Sequence, residues 1–216
     1  MSDHPEDHHS PADQQSPDIR DRKKDHLDLT AHEEVEARGK TTLLEQVELL
    51  HDSLPELSLE EVDLTEEIVG QTVDAPLVIT GMTGGAERAR EINRILARVA
   101  QKLGLAFGVG SQRALLEDPS LADTYRVRDL APDIPLFGNI GAVQAAESST
   151  DEVDELVDMI DADALCIHLN PGQELMQPEG DRDFRGGLQG IQRLTADLSV
   201  PVIVKETGCG FSPQTL

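Results

Sequence analysis

The stretch ALCIHLNPGQE, residues 164–174, joins a short apolar run to a dense group of polar side chains. The apolar part has the length and composition of a strand that is buried on both faces. The polar part contains His168, Asn170, Gln173 and Glu174, all of which can bind a ligand or take part in proton transfer. The sequence therefore predicts a strand whose end presents these four side chains at the mouth of a site.

The same pattern occurs four more times in the chain. The runs PLVIT, LAFGV, PLFGN and PVIVK occupy residues 76–80, 105–109, 135–139 and 201–205, and a Gly-rich or polar cluster follows each. Segments with apolar residues at helical spacing separate the runs, and in three of them these residues predict the side of a helix that faces the core. The three sets are Ile92, Ile95, Leu96, Val99 and Leu103; Val153, Leu156, Val157 and Ile160; and Leu188, Ile191, Leu194 and Leu198. Gly104 predicts a helix stop, and Ser149 with Glu152 predicts a capping box. Apolar strands that alternate with one-faced helices predict a parallel sheet covered by helices.

Two α/β architectures fit a parallel sheet of this kind, an open doubly wound sheet and a TIM (β/α)8 barrel. The polar clusters decide between them, because a barrel gathers the ends of all its strands around one mouth. They are GMTGG at 81–85, GSQR at 110–113, GNIGA at 138–142, HLNPGQE at 168–174 and KETGCG at 205–210. Since all five strand ends carry one, we predict a barrel. About five of its eight β/α units precede Leu216, so we expect the first part of a longer barrel.

The chain divides into three predicted regions. Residues 1–20 are rich in Asp, His, Pro, Gln and Ser and are expected to form a disordered tail. Residues 21–75 are expected to form an N-terminal arm and a β-hairpin from two strands, LSLEEVDL at 57–64 and EIVGQTV at 67–73, which approaches or plugs the barrel. Residues 76–216 are the barrel region.

Charge limits the classes of partner. The chain has 42 Asp and Glu against 18 Lys and Arg, a formal net charge of -24. This balance disfavours nucleic acid and anionic membranes as partners. Few lysines and 2% aromatic residues suggest a halophilic protein, with an acidic mesophilic one as the alternative. Without a long apolar run or a signal peptide, the protein is expected in the cytoplasm, with Cys166 and Cys209 reduced.

Each polar cluster also has a structural interpretation. The glycines of GMTGG suit either the close approach of a ligand to the backbone or a tight turn. Arg113 suits a phosphate or an ion pair with a neighbouring acid, and Asn139 suits a heterocycle edge or a turn cap. Glu174 is a hard oxygen ligand suited to Mg2+ that carries a diphosphate, and Lys205 can balance a bound anion or a reduced ring.

A family resemblance covers the chain from about Asp21 to Leu216. It rests on seven motifs in order: RKKDH, ELLHDSLPE, GMTGG, GSQR, GNIGA, HLNPGQE and VKETGCG. Together they resemble the type 2, FMN-dependent isopentenyl diphosphate isomerases, which are (β/α)8 barrels. The resemblance implies isomerisation of isopentenyl diphosphate to dimethylallyl diphosphate with reduced FMN, Mg2+ and NADPH. It also implies a homo-oligomer at full length.

The resemblance assigns roles to particular residues. The substrate would be bound by Arg22, Lys23, His26, Ser111, Gln112, Arg113 and Gln173. FMN would be bound by Thr80, Gly81, Met82, Thr83, Ser111, Asn139 and Lys205. Glu174 would bind Mg2+, and Gln173, His168 and Asn170 would lie at the reacting alkene. Two other functions remain open, another FMN-dependent barrel oxidoreductase and an inactive barrel fragment with residual phosphate affinity.

Overall fold

The computed structural model describes residues 27–36, 38–178 and 180–215. The expected tail at 1–20 and the site residues Arg22, Lys23 and His26 lie outside these ranges. A helix over 27–32 (α1) is followed by an extended arm with two 3-10 turns, Leu44–Gln46 and Leu59–Glu61. An antiparallel hairpin then pairs Glu66–Ile68 (β1) with Gln71–Val73 (β2).

The hairpin lies entirely within 66–73, and this corrects the expectation of a strand at 57–64. The apolar residues of 57–64 alternate as they would in a strand, but they contain a 3-10 turn and are exposed, with Leu59 84% exposed. Alternation stabilises a strand only when a neighbouring strand and an apolar surface are available, and the described residues offer neither there.

The barrel region contains five parallel strands: Val78–Ile79 (β3), Ala106–Gly108 (β4), Leu136–Gly141 (β5), Ala164–Leu169 (β6) and Val202–Glu206 (β7). Each strand pairs with the next one in the chain, so the order in the sheet is β3-β4-β5-β6-β7. A doubly wound sheet reverses its strand order at a switch point, and this sheet has no reversal. The predicted fold class, successive β/α units of a barrel, is therefore confirmed.

Helices connect every pair of neighbouring strands. They are Glu87–Leu103 (α2), Arg113–Glu117 (α3), Ala142–Glu147 (α4), Thr150–Ile160 (α5), Pro171–Met176 (α6) and Gly187–Asp197 (α7), with a 3-10 turn at Pro119–Thr124. The predicted stop of α2 is confirmed, because Gly104 caps it in a left-handed conformation with φ 60°. The Ser149–Glu152 capping box at the start of α5 is also confirmed.

The predicted core stripes are only partly correct. All four predicted residues of α5 are buried. In α2, however, Ile95, Val99 and Leu103 are exposed, and the helix instead buries Ala89, Asn93, Ala97 and Ala100. Asn93 Nδ2 donates to the carbonyls of Thr83 and Thr124, and these bonds turn the small-residue face inward. In α7 Leu194 is buried, whereas Leu188 is exposed.

The strands separate two apolar clusters on their two faces. The outer face packs beneath the helices, where Phe107, Leu136, Ile140, Leu165 and Ile167 meet α5 and α7. The inner face carries a smaller cluster of Ala106, Phe137, Ala164 and Cys166, against which Val73 and the hairpin residues Ile68 and Val69 pack. The hairpin thus covers the apolar lower part of the inner face. Among the described residues, no helix has the length and apolarity to cross a bilayer.

Candidate active site

A cleft of about 490 Å³ opens at the carboxyl ends of the parallel strands. It is lined by Thr80, Gly81, Met82, Ser111, Arg113, Asn139, Gln144, His168, Asn170, Gln173, Glu174, Gln177, Lys205, Glu206 and Thr207. The predicted polar clusters of all five strand ends contribute to it. Because the chain places these residues up to 127 positions apart, from Thr80 to Thr207, only the sheet brings them together.

Strand alternation explains which side chains face the cleft. On the inner face of three strands, an apolar residue is followed two positions later by a polar one. The pairs are Phe137 and Asn139 on β5, Cys166 and His168 on β6, and Ile203 and Lys205 on β7. His168 pairs in register with Lys205 on the neighbouring strand. The inner face therefore changes from an apolar layer beside the hairpin to a polar layer at the cleft.

His168 is held by a hydrogen bond to an acceptor on the neighbouring strand. Its Nδ1 lies 2.9 Å from Asn139 Oδ1. Asn139 Nδ2 in turn donates to the carbonyl of Val109, at 3.1 Å. Three successive strand ends are thus connected by two hydrogen bonds at the base of the cleft.

Glu174 lies on α6, directly after the turn that Pro171 starts. Its Oε1 accepts from Asn170 Nδ2 at 2.8 Å, and its Oε2 accepts from the main-chain N–H of Asp181 at 3.1 Å. Both carboxylate oxygens are therefore oriented. Among the described residues, no group of three or more His, Cys, Asp or Glu side chains could hold a metal ion, so a cation here would need oxygens from its ligand.

Arg113 lines the cleft and forms an ion pair at the same time. Its Nη1 lies 3.0 Å from Asp181 Oδ2, and its Nε lies 3.9 Å from Glu117. The ion pair with a neighbouring acid is therefore present, and phosphate binding by Arg113 stays a prediction.

Gln112, which the resemblance places at the substrate, has a different position. Its side chain is wholly buried behind the cleft, where Nε2 donates to the Leu156 carbonyl at 2.8 Å and Oε1 accepts from the Asn139 N–H at 3.0 Å. Both ends of the amide are occupied by the protein. In this structure the side chain supports β5, and its contact with the substrate stays a prediction.

Two glycines of GMTGG allow close packing, and one of them also lines the cleft. A Cβ at Gly81 would overlap the Val109 carbonyl oxygen, and one at Gly84 would overlap the Tyr125 ring. Thr83 is buried and does not line the cleft, and its Oγ1 has no hydrogen-bond partner among the described residues. Of this motif, only Gly81 and Met82 reach the cleft directly.

Four lining residues were not predicted from the sequence: Gln144, Gln177, Glu206 and Thr207. Glu206 Oε2 accepts from the N–H groups of Gly208, Cys209 and Gly210. Burial acts to raise the pKa of Glu206, but these backbone donors outweigh it and hold that pKa below its usual range. The position of Glu206 next to Lys205, before a Gly-rich turn, was the available signal.

Cys166 lies on the inner face below His168, where its side chain is buried. Burial raises the pKa of its thiol to about 11, and the charge of Lys205 opposes this only in part. Cys166 and Cys209 are both free thiols, as predicted.

No protein-family model matches the chain. Among solved structures, a mandelate oxidase mutant with an FMN adduct is similar with a TM-score of 0.45 and 13% identity, covering 68% of this chain and 45% of that one. A lactate oxidase from Pediococcus acidilactici has a TM-score of 0.44 and 14% identity, covering 69% of this chain and 46% of that one.

Curated relatives match much more closely. Proteins named isopentenyl-diphosphate delta-isomerase are 48% identical over 194 residues in Methanosarcina mazei, 53% over 192 in Synechococcus and 47% over 205 in Halobacterium salinarum. These matches cover 89%, 88% and 94% of this chain, and 53%, 55% and 56% of the relatives. The chain spans about half the length of the curated relatives it matches. Over about nine tenths of its own length, the chain is similar to proteins named isopentenyl-diphosphate delta-isomerase.

Proposed function

We propose that this chain forms the substrate- and flavin-contacting part of an isomerase that converts isopentenyl diphosphate to dimethylallyl diphosphate. The observation that carries the proposal is the cleft, which is lined by three cationic or acid-base side chains, Arg113, His168 and Lys205, and by the oriented carboxylate of Glu174. The names of the curated relatives support the same reaction.

The diphosphate would bind at the end of the cleft that holds Ser111 and Arg113. A guanidinium binds phosphate oxygens through charge-assisted hydrogen bonds, and the Ser111 hydroxyl adds another donor. Arg22, Lys23 and His26 would bind the same group, as the family resemblance implies.

Mg2+ would be held by Glu174 together with diphosphate oxygens and water. Mg2+ commonly keeps several waters and takes only one or two carboxylates when phosphates are present. A single oriented carboxylate therefore fits this role. Asn170 would keep that carboxylate in position through its 2.8 Å hydrogen bond.

The cleft also fits a flavin. Thr80, Gly81 and Met82 form one edge, the Met82 side chain is 75% exposed for contact with a flat ring, and Lys205 supplies a cation for a reduced ring. Thr83 follows Met82 and stays a predicted flavin contact, although its side chain is buried in this structure. When bound, FMN reduced by NADPH would supply the acid and base for the reaction.

The isomerisation balances without net oxidation. One proton is added to the terminal methylene carbon and one is removed from the carbon next to the diphosphate-bearing methylene, so the double bond shifts. The residues of this chain would orient the alkene through Gln173 and Asn170, exclude water, and place charge near the developing cation.

The test uses a chimera in which this chain replaces the region it matches in the Halobacterium salinarum relative. The chimera is assayed with isopentenyl diphosphate, FMN, NADPH and Mg2+ in high KCl. We expect conversion, and Glu174→Gln should reduce it roughly 100-fold because the charge on the cation ligand is lost. Asp183→Asn, which removes an exposed carboxylate paired with Arg185, serves as the control and should leave conversion unchanged. An active Glu174→Gln chimera would reject the assigned role.

Four further properties belong to the same proposal. The whole protein would act in the cytoplasm as a homo-oligomer, bind a small diphosphate rather than nucleic acid or membrane, and be adapted to high salt. The strongest support is the charge of -24, which repels nucleic acid and anionic lipid alike.

A further inference from the structure

We propose that Asn139 is a positioning residue that selects one tautomer of His168, with the proton on Nδ1 and the lone pair on Nε2. The proposal goes beyond the function proposed above and does not depend on it. It follows from the hydrogen-bond donors and acceptors of three groups that are joined one to the next. These groups are the Val109 carbonyl, the Asn139 amide and the His168 imidazole.

The first step fixes the orientation of the Asn139 amide. The Val109 carbonyl can only accept a hydrogen bond, and the atom of Asn139 that faces it lies 3.1 Å away. That atom must be the Nδ2 donor, because a carbonyl oxygen in its place would bring two acceptors together. Oδ1 consequently faces the other way, toward His168.

The second step fixes the imidazole. Asn139 Oδ1 can only accept, and it lies 2.9 Å from His168 Nδ1. Nδ1 must therefore carry the proton that forms this bond. In a neutral ring the other nitrogen, Nε2, is then the acceptor, since the hydrogen bond at one nitrogen sets the state of the other.

The third step concerns the main chain of Asn139, which holds the side chain between the Val109 carbonyl and His168. Its main chain is held on both sides by Gln112, which accepts from the Asn139 N–H through Oε1 and donates its own N–H to the Asn139 carbonyl at 2.7 Å. Gln112 and Asn139 are both buried. Gly81 leaves room for the amide, because a Cβ there would lie 3.1 Å from Asn139 Nδ2 and overlap the Val109 carbonyl.

The consequence concerns what His168 offers at the cleft. With Nε2 as acceptor, the neutral ring receives a hydrogen bond from an N–H or O–H group, or takes a proton, and does not donate to a phosphate oxygen. Hydrogen bonds to an anion in the cleft would then come from Arg113, Ser111 and Lys205. His168 would instead accept a hydrogen bond from a bound ligand.

The test is long-range 1H–15N NMR on the uniformly 15N-labelled chain in high KCl at about pH 8.5, above the ordinary histidine pKa of about 6.5. The His168 signals are identified by their loss in His168→Gln. We expect a protonated, pyrrole-type Nδ1 and an unprotonated, pyridine-type Nε2. An Nε2–H ring, or a ring protonated on both nitrogens, would overturn the proposal without any further variant.

Asn139→Leu then tests the cause. Leucine has a similar size but neither donor nor acceptor, so the Nε2–H tautomer, which free histidine prefers in water, should appear. Asn170→Ala is the matched control, because Asn170 also lines the cleft but bonds to Glu174. It should leave the His168 signals in the Nδ1–H pattern. An unchanged tautomer in Asn139→Leu would show that Asn139 does not select it.

Discussion

Arg113, which lines the cleft, forms an ion pair with Asp181, and Nη1 and Oδ2 lie 3.0 Å apart although the residues are 68 positions apart in the chain. The main-chain N–H of Asp181 also donates to Glu174 Oε2. Asp181 thus connects the guanidinium expected to bind a diphosphate with the carboxylate expected to bind Mg2+. Its negative charge lies beside Arg113, where the charge of an anionic ligand would also lie.

Removing the charge of Asp181 should therefore strengthen anion binding. In Asp181→Asn the main-chain bond to Glu174 remains, while Arg113 loses its counterion, and a partly exposed pair of this kind is worth up to about 1 kcal/mol. We expect inorganic diphosphate to bind about fivefold more tightly to this variant by isothermal titration calorimetry at fixed KCl. Asp183→Asn is the matched control and should bind as the unmodified chain does. Weaker or equal binding by Asp181→Asn would contradict this account of the ion pair.

Gln112 should matter for stability. In Gln112→Ala, the Leu156 carbonyl and the Asn139 N–H both lose their buried partner, and a cavity remains. We expect the free energy of unfolding in urea to fall by about 2 to 4 kcal/mol. Gln101→Ala removes an amide that bonds to Asp133 at the surface, and it should change the same quantity by less than about 1 kcal/mol. Equal losses in the two variants would mean that Gln112 is not buried as described.

The two cysteines should differ sharply in reactivity. Cys209 is exposed, whereas Cys166 is buried with its pKa raised to about 11, so its thiolate fraction at pH 8 is small. With a chromogenic disulfide reagent we expect one fast thiol, and a second that reacts more than about 100-fold more slowly until the chain is unfolded. Cys209→Ser should remove the fast phase. Two fast thiols in the folded chain would contradict the inward position of Cys166.

Salt should stabilise the chain. With a net charge of -24, self-repulsion in the compact state is screened as the Debye length falls from about 10 Å at 0.1 M to about 3 Å at 1 M. We expect the Tm to rise steadily in a KCl series and to rise less in sucrose at matched osmolality. A Tm that does not depend on KCl would favour the acidic mesophile interpretation.

Much of the site could be predicted because its side chains lie at the carboxyl ends of parallel strands. Parallel strands in chain order bring their carboxyl ends to one edge, so the polar clusters at Ser111, Asn139, His168 and Lys205 had to converge once the sheet was recognised. Strand alternation also predicted that His168 and Asn170 would share a face, and both line the cleft.

The errors arose where tertiary packing decides between equivalent local patterns. The α2 sequence offers two stripes, and its small residues pack inward because Asn93 bonds to two carbonyls of the barrel. For Gln112, the sequence did not show that the amide bonds to β5 and to α5, and its substrate role stays a prediction. Residues 57–64 have strand-like alternation but no partner among the described residues.

The measurement that tests the central claim most directly is the number of product molecules formed per NADPH oxidised by the chimera, in D2O. An isomerase with a reduced flavin needs NADPH only to reduce the cofactor, so we expect many molecules of dimethylallyl diphosphate per NADPH, each with deuterium in a methyl group. An FMN-dependent barrel oxidoreductase would instead consume one NADPH for each product molecule. One-to-one consumption, or product without deuterium, would contradict the proposed function.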